Sequence, residues 1–213
     1  MNRSNLDSTL KSLQESDDNI TTLDDGWSQG RSAFGGISAA FAMTAMRKLV
    51  PNDLPLRSLS VSFIAPVPPG KVLVETEIIR KGKSVIQAEA SLVCNDNICL
   101  RAMAAFGYAR ETYEIPSNKS FKPKPRGSGV NFEDHAKQTP GFLQFFEGEW
   151  VNDGMPFAGK LSRKLELWVR HNIDLNQFPA EKLITICDIP PPVILSHFSI
   201  PPVPSSSLTW SLE

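Results

Sequence analysis

Apolar residues recur along this chain with two different periods, and the changes between them outline its organisation. Leu6, Leu10 and Leu13 fall at helical spacing and predict a short amphipathic helix over residues 5–14. Asp24-Asp25-Gly26 signals a turn, after which Trp27 and a polar, glycine-containing stretch lead into a different pattern. From 33 to 49 almost every position is small or apolar, including Ile37, Ala39, Ala40, Phe41, Ala42, Met43, Ala45 and Met46. A helix that is apolar on nearly every face is one surrounded by protein. Arg47-Lys48 suit the negative pole of its dipole, and Pro51 closes it. Two adjacent glycines, Gly35 and Gly36, stand at its start although glycine weakens a helix.

The period then changes to two. LRSLSVSFIAP sets Leu59, Val61 and Phe63 against Ser58, Ser60 and Ser62, and KVLVETEIIRKG, SVIQAEASLVCN and ICLRAMAAFGYAR continue in strand-like fashion. Turn signals fall between them at Pro68-Pro69-Gly70, Lys81-Gly82-Lys83 and Asn95-Asp96-Asn97. One buried helix followed by four antiparallel strands is the expectation for a first domain over residues 1–113.

Residues 114–140, rich in Pro, Lys, Ser and Gly, read as a linker. A partial second domain follows over 141–213. FLQFFEGEWV and KLELWVRHN are strand-like, and NQFPAEKLITICDI predicts a helix opened by Pro179 and stopped by Pro190-Pro191-Pro192. SSSLTWSLE predicts one more strand, for which the second module offers no partner.

Composition narrows the function classes. A formal net charge of −1, with Lys and Arg spread along the chain, argues against nucleic-acid binding. Cys94, Cys99 and Cys187 read as reduced core or near-core thiols, with Cys94 and Cys99 flanking a hairpin turn. His135, His171 and His197 show no zinc-like spacing, so no metal site is expected. The first residues lack the apolar core of a signal peptide and no run reaches membrane-span length. We expect a cytoplasmic protein without stable membrane insertion.

Three groups of residues then carry a resemblance: DDGWSQGRSAFGGISAAFAMTAM, PLRSLSVSFIAPVPPGKVLVETEIIRKGKSVIQAEASLV, and a helix ending in CDIPPPV followed by SSSLTWSLE. Together they resemble the double hot-dog acyl-CoA thioesterases of the TesB (thioesterase II) type, from about Leu23 onward. The resemblance implies an α+β hot-dog fold, with antiparallel sheet wrapped around central helices and an incomplete second hot-dog. It implies hydrolysis of a fatty acyl-CoA by an activated water, without a cofactor. The family's catalytic Asp is matched by Asp188 and its hydroxyl residue by Ser207, with Ser206 the neighbour if the register slips. The family's Gln lies on strands this chain lacks, so the chain reads as truncated at its C-terminus. A homo-oligomer is expected.

The residues themselves allow plainer readings. An Asp in D-I-P-P-P also ends a helix and starts a turn, and Ser207 also suits a strand entrance. As a base, Asp188 would orient or activate a water, with Ser207 holding it. Gly35 and Gly36 as substrate-binding residues would offer helix N-terminal N–H groups to a thioester carbonyl or a phosphate. Packing without a Cβ is the favoured reading of the pair, because FGGISAAFAMTAM contains no Asp, Glu or His. Arg80 and Lys83, in RKGK, are candidates for CoA phosphates, although such a run is also an ordinary solvated turn. The alternative function is an inactive hot-dog protein that binds acyl groups or serves as an oligomer subunit. A hydratase or dehydratase needs a His on the helix, and neither helix carries one.

Overall fold

The computed structural model describes residues 5–116, 122–135, 139–201 and 203–213. In chain order the elements are α1 (Leu6–Glu15), β1 (Ile20–Leu23), β2 (Ser28–Gln29), β3 (Ser32–Ala33), α2 (Gly35–Arg47), β4 (Leu56–Phe63), β5 (Gly70–Lys81), β6 (Val85–Cys94), β7 (Asn97–Gly107), β8 (Val130–Asn131), β9 (Phe146–Trp150), β10 (Leu167–His171), α3 (Pro179–Cys187) and β11 (Thr209–Leu212). Asn5 caps α1, its Oδ1 accepting the Asp7 N–H at 3.0 Å. The α1 face that carries Leu6, Leu10 and Leu13 is buried. Lys48, just beyond α2, donates to the Ser16 carbonyl and Asn19 Oδ1, tying the end of α1 to the end of α2.

The main sheet is antiparallel throughout, in the order β1-β5-β6-β7-β4-β11. Its inner face, with Leu59, Val61, Val72, Val74, Ala88, Ala90, Leu92, Ala102 and Ala104, is buried. Residues 36–46 of α2 are buried without exception. The β6–β7 hairpin turns through Asn95 and Asp96, both at positive φ (49° and 61°), a conformation Asn and Asp tolerate. Cys94 and Cys99 are free, buried thiols beside this turn. Burial and the neighbouring Cys99 push the Cys94 thiol up to about 12, so it stays protonated.

The second part contributes a three-stranded sheet, β10-β9-β8, and α3. β8 comes from the segment read as a linker. It is held because Gly127 and Gly129 donate their N–H groups to the buried Glu149 carboxylate at 2.7 and 3.3 Å. The strand expected to lack a partner has one: β11 pairs antiparallel with β4 of the first part, Trp210 opposite Val61 and Leu212 opposite Leu59. β4 is otherwise the outer strand of its sheet, so its unpaired backbone is the available edge. One sheet therefore contains strands from both parts of the chain.

The two helices lie against each other in antiparallel sense. Gly36, near the start of α2, abuts Thr185 near the end of α3, while Thr44, near the end of α2, bonds Glu181 near the start of α3. α3 turns Ile184 inward, fully buried, and leaves Leu183 49% exposed. Ile184→Ala should therefore lower unfolding free energy by about 2–5 kcal/mol, and Leu183→Ala by less than about 0.5 kcal/mol. Chemical denaturation of both variants measures the contrast.

Candidate active site

The first turn of α2 has no cap from its own sequence. Phe34, at the N-cap position, has no side-chain oxygen to offer, and its N–H is already given to the Trp27 carbonyl at 2.8 Å. The group that meets this helix start comes from α3. Asp188, immediately after the last turn of α3, turns its carboxylate toward the Gly36 N–H, which favours its ionised form. A Cβ on Gly35 would lie 2.7 Å from Asp188 Oδ2 and 2.9 Å from the Phe63 ring. A Cβ on Gly36 would lie 2.6 Å from the Phe34 ring and 3.0 Å from the Thr185 Cα. The glycine pair is therefore what allows a carboxylate and the end of a second helix to reach the positive pole of α2.

Burial raises the Asp188 carboxyl to about 6, and the Gly36 N–H offsets only part of that rise. The carboxylate is thus a stronger base than an exposed one, yet largely ionised at neutral pH. Cys187 beside it is raised by burial and by the Asp188 charge, which keeps the thiol protonated.

Aromatic rings fix the approach to this helix start. Phe34 stacks on Phe142 with centroids 4.0 Å apart, Trp27 stacks on Phe145 at 4.1 Å, and Phe146 meets Trp27, Phe34 and Phe142 edge-on. Three of these five rings belong to the second part of the chain, so the two parts are interlocked here.

A polar face of α3 runs behind the site. Glu181, Thr185 and Asp188 sit at i, i+4 and i+7, and all three touch α2 or its support. Thr44 Oγ1 donates to Glu181 Oε1 at 3.1 Å. Burial raises the Glu181 carboxyl, offset by this bond and by Arg47, whose own value burial lowers. The Thr185 hydroxyl donates to the carbonyls of its own helix, so at 2.7 Å it accepts from Nε2–H of the buried His171. That leaves His171 Nδ1 as an unprotonated acceptor, buried and without a partner among the described residues. Burial lowers His171 to about 4, so the ring is neutral at physiological pH. It lines a cleft of about 200 Å³ with Leu6, Trp27, Phe145 and Ile173.

Of the residues expected from the sequence, Asp188, Gly35 and Gly36 are brought into contact. Ser207 is exposed and precedes Leu208, whose carbonyl accepts the Phe63 N–H at 2.9 Å. Ser206 is exposed next to it. Arg80 and Lys83 are not brought to the helix start. Phe63 is level with Leu100, Leu92 and Val74 across the sheet, and Arg80 lies further along β5 by about 20 Å at the usual strand rise. The face formed by Glu181, Thr185 and Asp188 was not singled out from the sequence, although its spacing is visible in EKLITICD. His171 carries no such signal.

Residues 23–107 match the family model for the acyl-CoA thioesterase N-terminal domain, and residues 123–213 match the model for the acyl-CoA thioesterase C-terminal domain. No curated protein sequence matches the chain. Among solved structures it is similar to a conserved hot-dog protein of unknown function from Alicyclobacillus acidocaldarius, at TM-score 0.75 and 20% identity over 90% of this chain and 71% of that one. It is also similar to a candidate thioesterase II from Thermobifida fusca, at TM-score 0.74 and 16% identity over 99% of this chain and 80% of that one. A third, the acyl-CoA thioesterase II TesB2 from Mycobacterium marinum, has TM-score 0.62 and 17% identity over 84% and 68% of the two chains. These likenesses establish the hot-dog fold. The expected C-terminal truncation is not supported by the family matches. With both domain models matched in order over most of its length, the chain belongs to the acyl-CoA thioesterase family.

Proposed function

We propose that this protein hydrolyses an acyl-CoA thioester to the free acid and CoA by direct attack of water, with Asp188 as the base. One observation carries the reading: a partly buried carboxylate, raised to about 6, rests against the start of a buried helix that has no side-chain cap from its own N-cap residue. Asp188 takes a proton from water as the water oxygen bonds to the thioester carbon. The positive end of α2 favours the negative charge that develops on the carbonyl oxygen. Collapse of the tetrahedral intermediate breaks the C–S bond, and the departing thiolate recovers the proton from Asp188. Ser207, on the approach to β11, holds the water as donor and acceptor in this scheme.

Thiol release from acyl-CoAs of several chain lengths tests the activity. A folded sample that binds them without releasing thiol would instead be the inactive acyl-binding protein. Asp188→Asn should lower kcat by about a hundredfold or more, the usual range for loss of a general base. With the native residue, kcat should rise with pH through about 6 and level off above it, since the ionised carboxylate is the active form. That limb should vanish in the variant.

The same carboxyl affects stability in the opposite direction. Its folded value lies above the ordinary 3.8, so its contribution to stability is full below that value and is lost as pH rises through about 6. At pH 7 Asp188→Asn should therefore raise the thermal midpoint, by roughly a few degrees, while it lowers kcat. Differential scanning calorimetry beside the kinetic assay reads both. Gly35→Ala should cost about tenfold or more in kcat although alanine is the better helix former, because its Cβ would displace Asp188 Oδ2 from 2.7 Å. Kinetics with circular dichroism on this variant separate misplacement from unfolding.

A further inference from the structure

The connection between β9 and β10 folds back on itself and, with Lys124, forms an open cleft of about 490 Å³. Four cationic side chains, Lys124, Lys160, Arg163 and Lys164, line it together with two acidic ones, Asp153 and Glu166, leaving an excess of positive charge. Lys124 is partly neutralised by Glu166 at 3.9 Å. Lys160, Arg163 and Lys164 form no ion pair among the described residues. Unpaired cations gathered in a concave surface raise the local potential for an anion, and Arg163 brings a planar fork suited to a phosphate.

The cleft is built rather than floppy. Ser162 Oγ donates to the Lys164 carbonyl at 2.8 Å, holding the cationic turn closed, and a His197 ring nitrogen lies 3.0 Å from the Ser162 carbonyl. The loop is then fastened to the segment that follows Asp188: Phe157 N–H donates to Leu195, Gly159 to Phe198 and Lys160 to Ser196. The buried Ser196 hydroxyl lies 3.1 Å from the Lys160 carbonyl. Ile189 and Pro190-Pro191-Pro192 lead from Asp188 directly into the short 3-10 turn Val193–His197, which carries the anchors Leu195 and Ser196. The carboxylate and the cationic cleft are thus mounted on one stiff strap.

We propose that this cleft takes the phosphate-bearing nucleotide end of coenzyme A. The proposal rests on the acyl-CoA reading above for the identity of the anion. Coenzyme A carries a diphosphate and a 3′-phosphate at the end remote from its sulfur, which matches several cations set apart from the base that meets the thioester. A flat anionic membrane surface fits a concave cleft poorly. The sequence candidates for these phosphates, Arg80 and Lys83, lie on the far hairpin of the first sheet.

Titration calorimetry with CoA itself, on the full chain carrying K160Q/R163Q/K164Q, tests the assignment without requiring turnover. The triple variant should bind CoA about tenfold or more weakly and show a flatter salt dependence. The ratio of kcat/KM for an acyl-CoA over the matching acyl-pantetheine thioester, which lacks the nucleotide, should fall by the same factor. Unchanged CoA affinity in the triple variant overturns the proposal. So does an equal loss on the acyl-pantetheine substrate, or loss of CoA affinity in R80Q/K83Q with none in the triple variant. A protein that releases no thiol, yet loses CoA affinity in the triple variant, refutes the hydrolase reading and leaves the cleft assignment standing.

Discussion

The contact on which this structure depends is a close approach between the start of one helix and the end of another. α2 begins where α3 finishes, and no side chain stands between them at 35 or 36. Because the helices are antiparallel, the positive pole of one faces the negative pole of the other, and Asp188 occupies the junction. The same approach lets Glu181 reach Thr44 at the other end of the pair, and it brings Phe142, Phe145 and Phe146 over Trp27 and Phe34. A larger residue at either glycine would have to move a helix, a sheet end or the carboxylate. Fold and candidate chemistry thus rest on a single steric condition.

That junction also concentrates ionisable groups where charge is costly. Glu181, Asp188 and His171 are each shifted toward the neutral form, and in each case burial is the leading cause. Their settings differ. Glu181 has a hydroxyl partner and a nearby guanidinium, which suits a cross-link between helices. His171 is held in one tautomer by Thr185 and keeps a lone pair without a partner among the described residues. Asp188 is held by the Gly36 N–H at the lip of a helix, and it is the only one of the three outside the fully buried set. A group that must meet substrate needs that partial access, whereas the side chains of the other two are buried.

Much of the architecture is legible in the residues. The all-apolar run 33–49, the alternation in LRSLSVSF and the punctuation by Pro and Gly announce a buried helix followed by hairpins, because burial on all sides and burial on one face leave different periods. Asp188 and the glycines are visible as separate oddities, a carboxylate beside prolines and a weak helix start. Their meeting is not visible, since they lie far apart in sequence and neither pattern specifies a long-range contact. Taken alone, FGGISAAFAMTAM favours packing for the glycines because the first half has no acid there, while the fold supplies the acid from the second. β8 escaped notice because two residues in a Gly- and Lys-rich stretch have no period, and they are ordered by the carboxylate of Glu149 rather than by their own side chains. The partner of β11 was hidden for the reason that hid Asp188: the edge it needs belongs to β4.

That last pairing has a consequence for how the protein is made. β4 is finished early on the ribosome, but its outer edge is covered only when residues 209–212 emerge, 146 residues after Phe63. At ordinary elongation speeds the interval is roughly 7–30 s, during which the nascent first sheet carries an open edge able to pair with other chains. The alternating serines Ser58, Ser60 and Ser62 leave that strand polar on its outer face, which limits adhesion through the face but not through the edge. Synthesis on crowded polysomes, where neighbouring nascent chains present the same open edge, is therefore a stage at which this fold is exposed to mispairing.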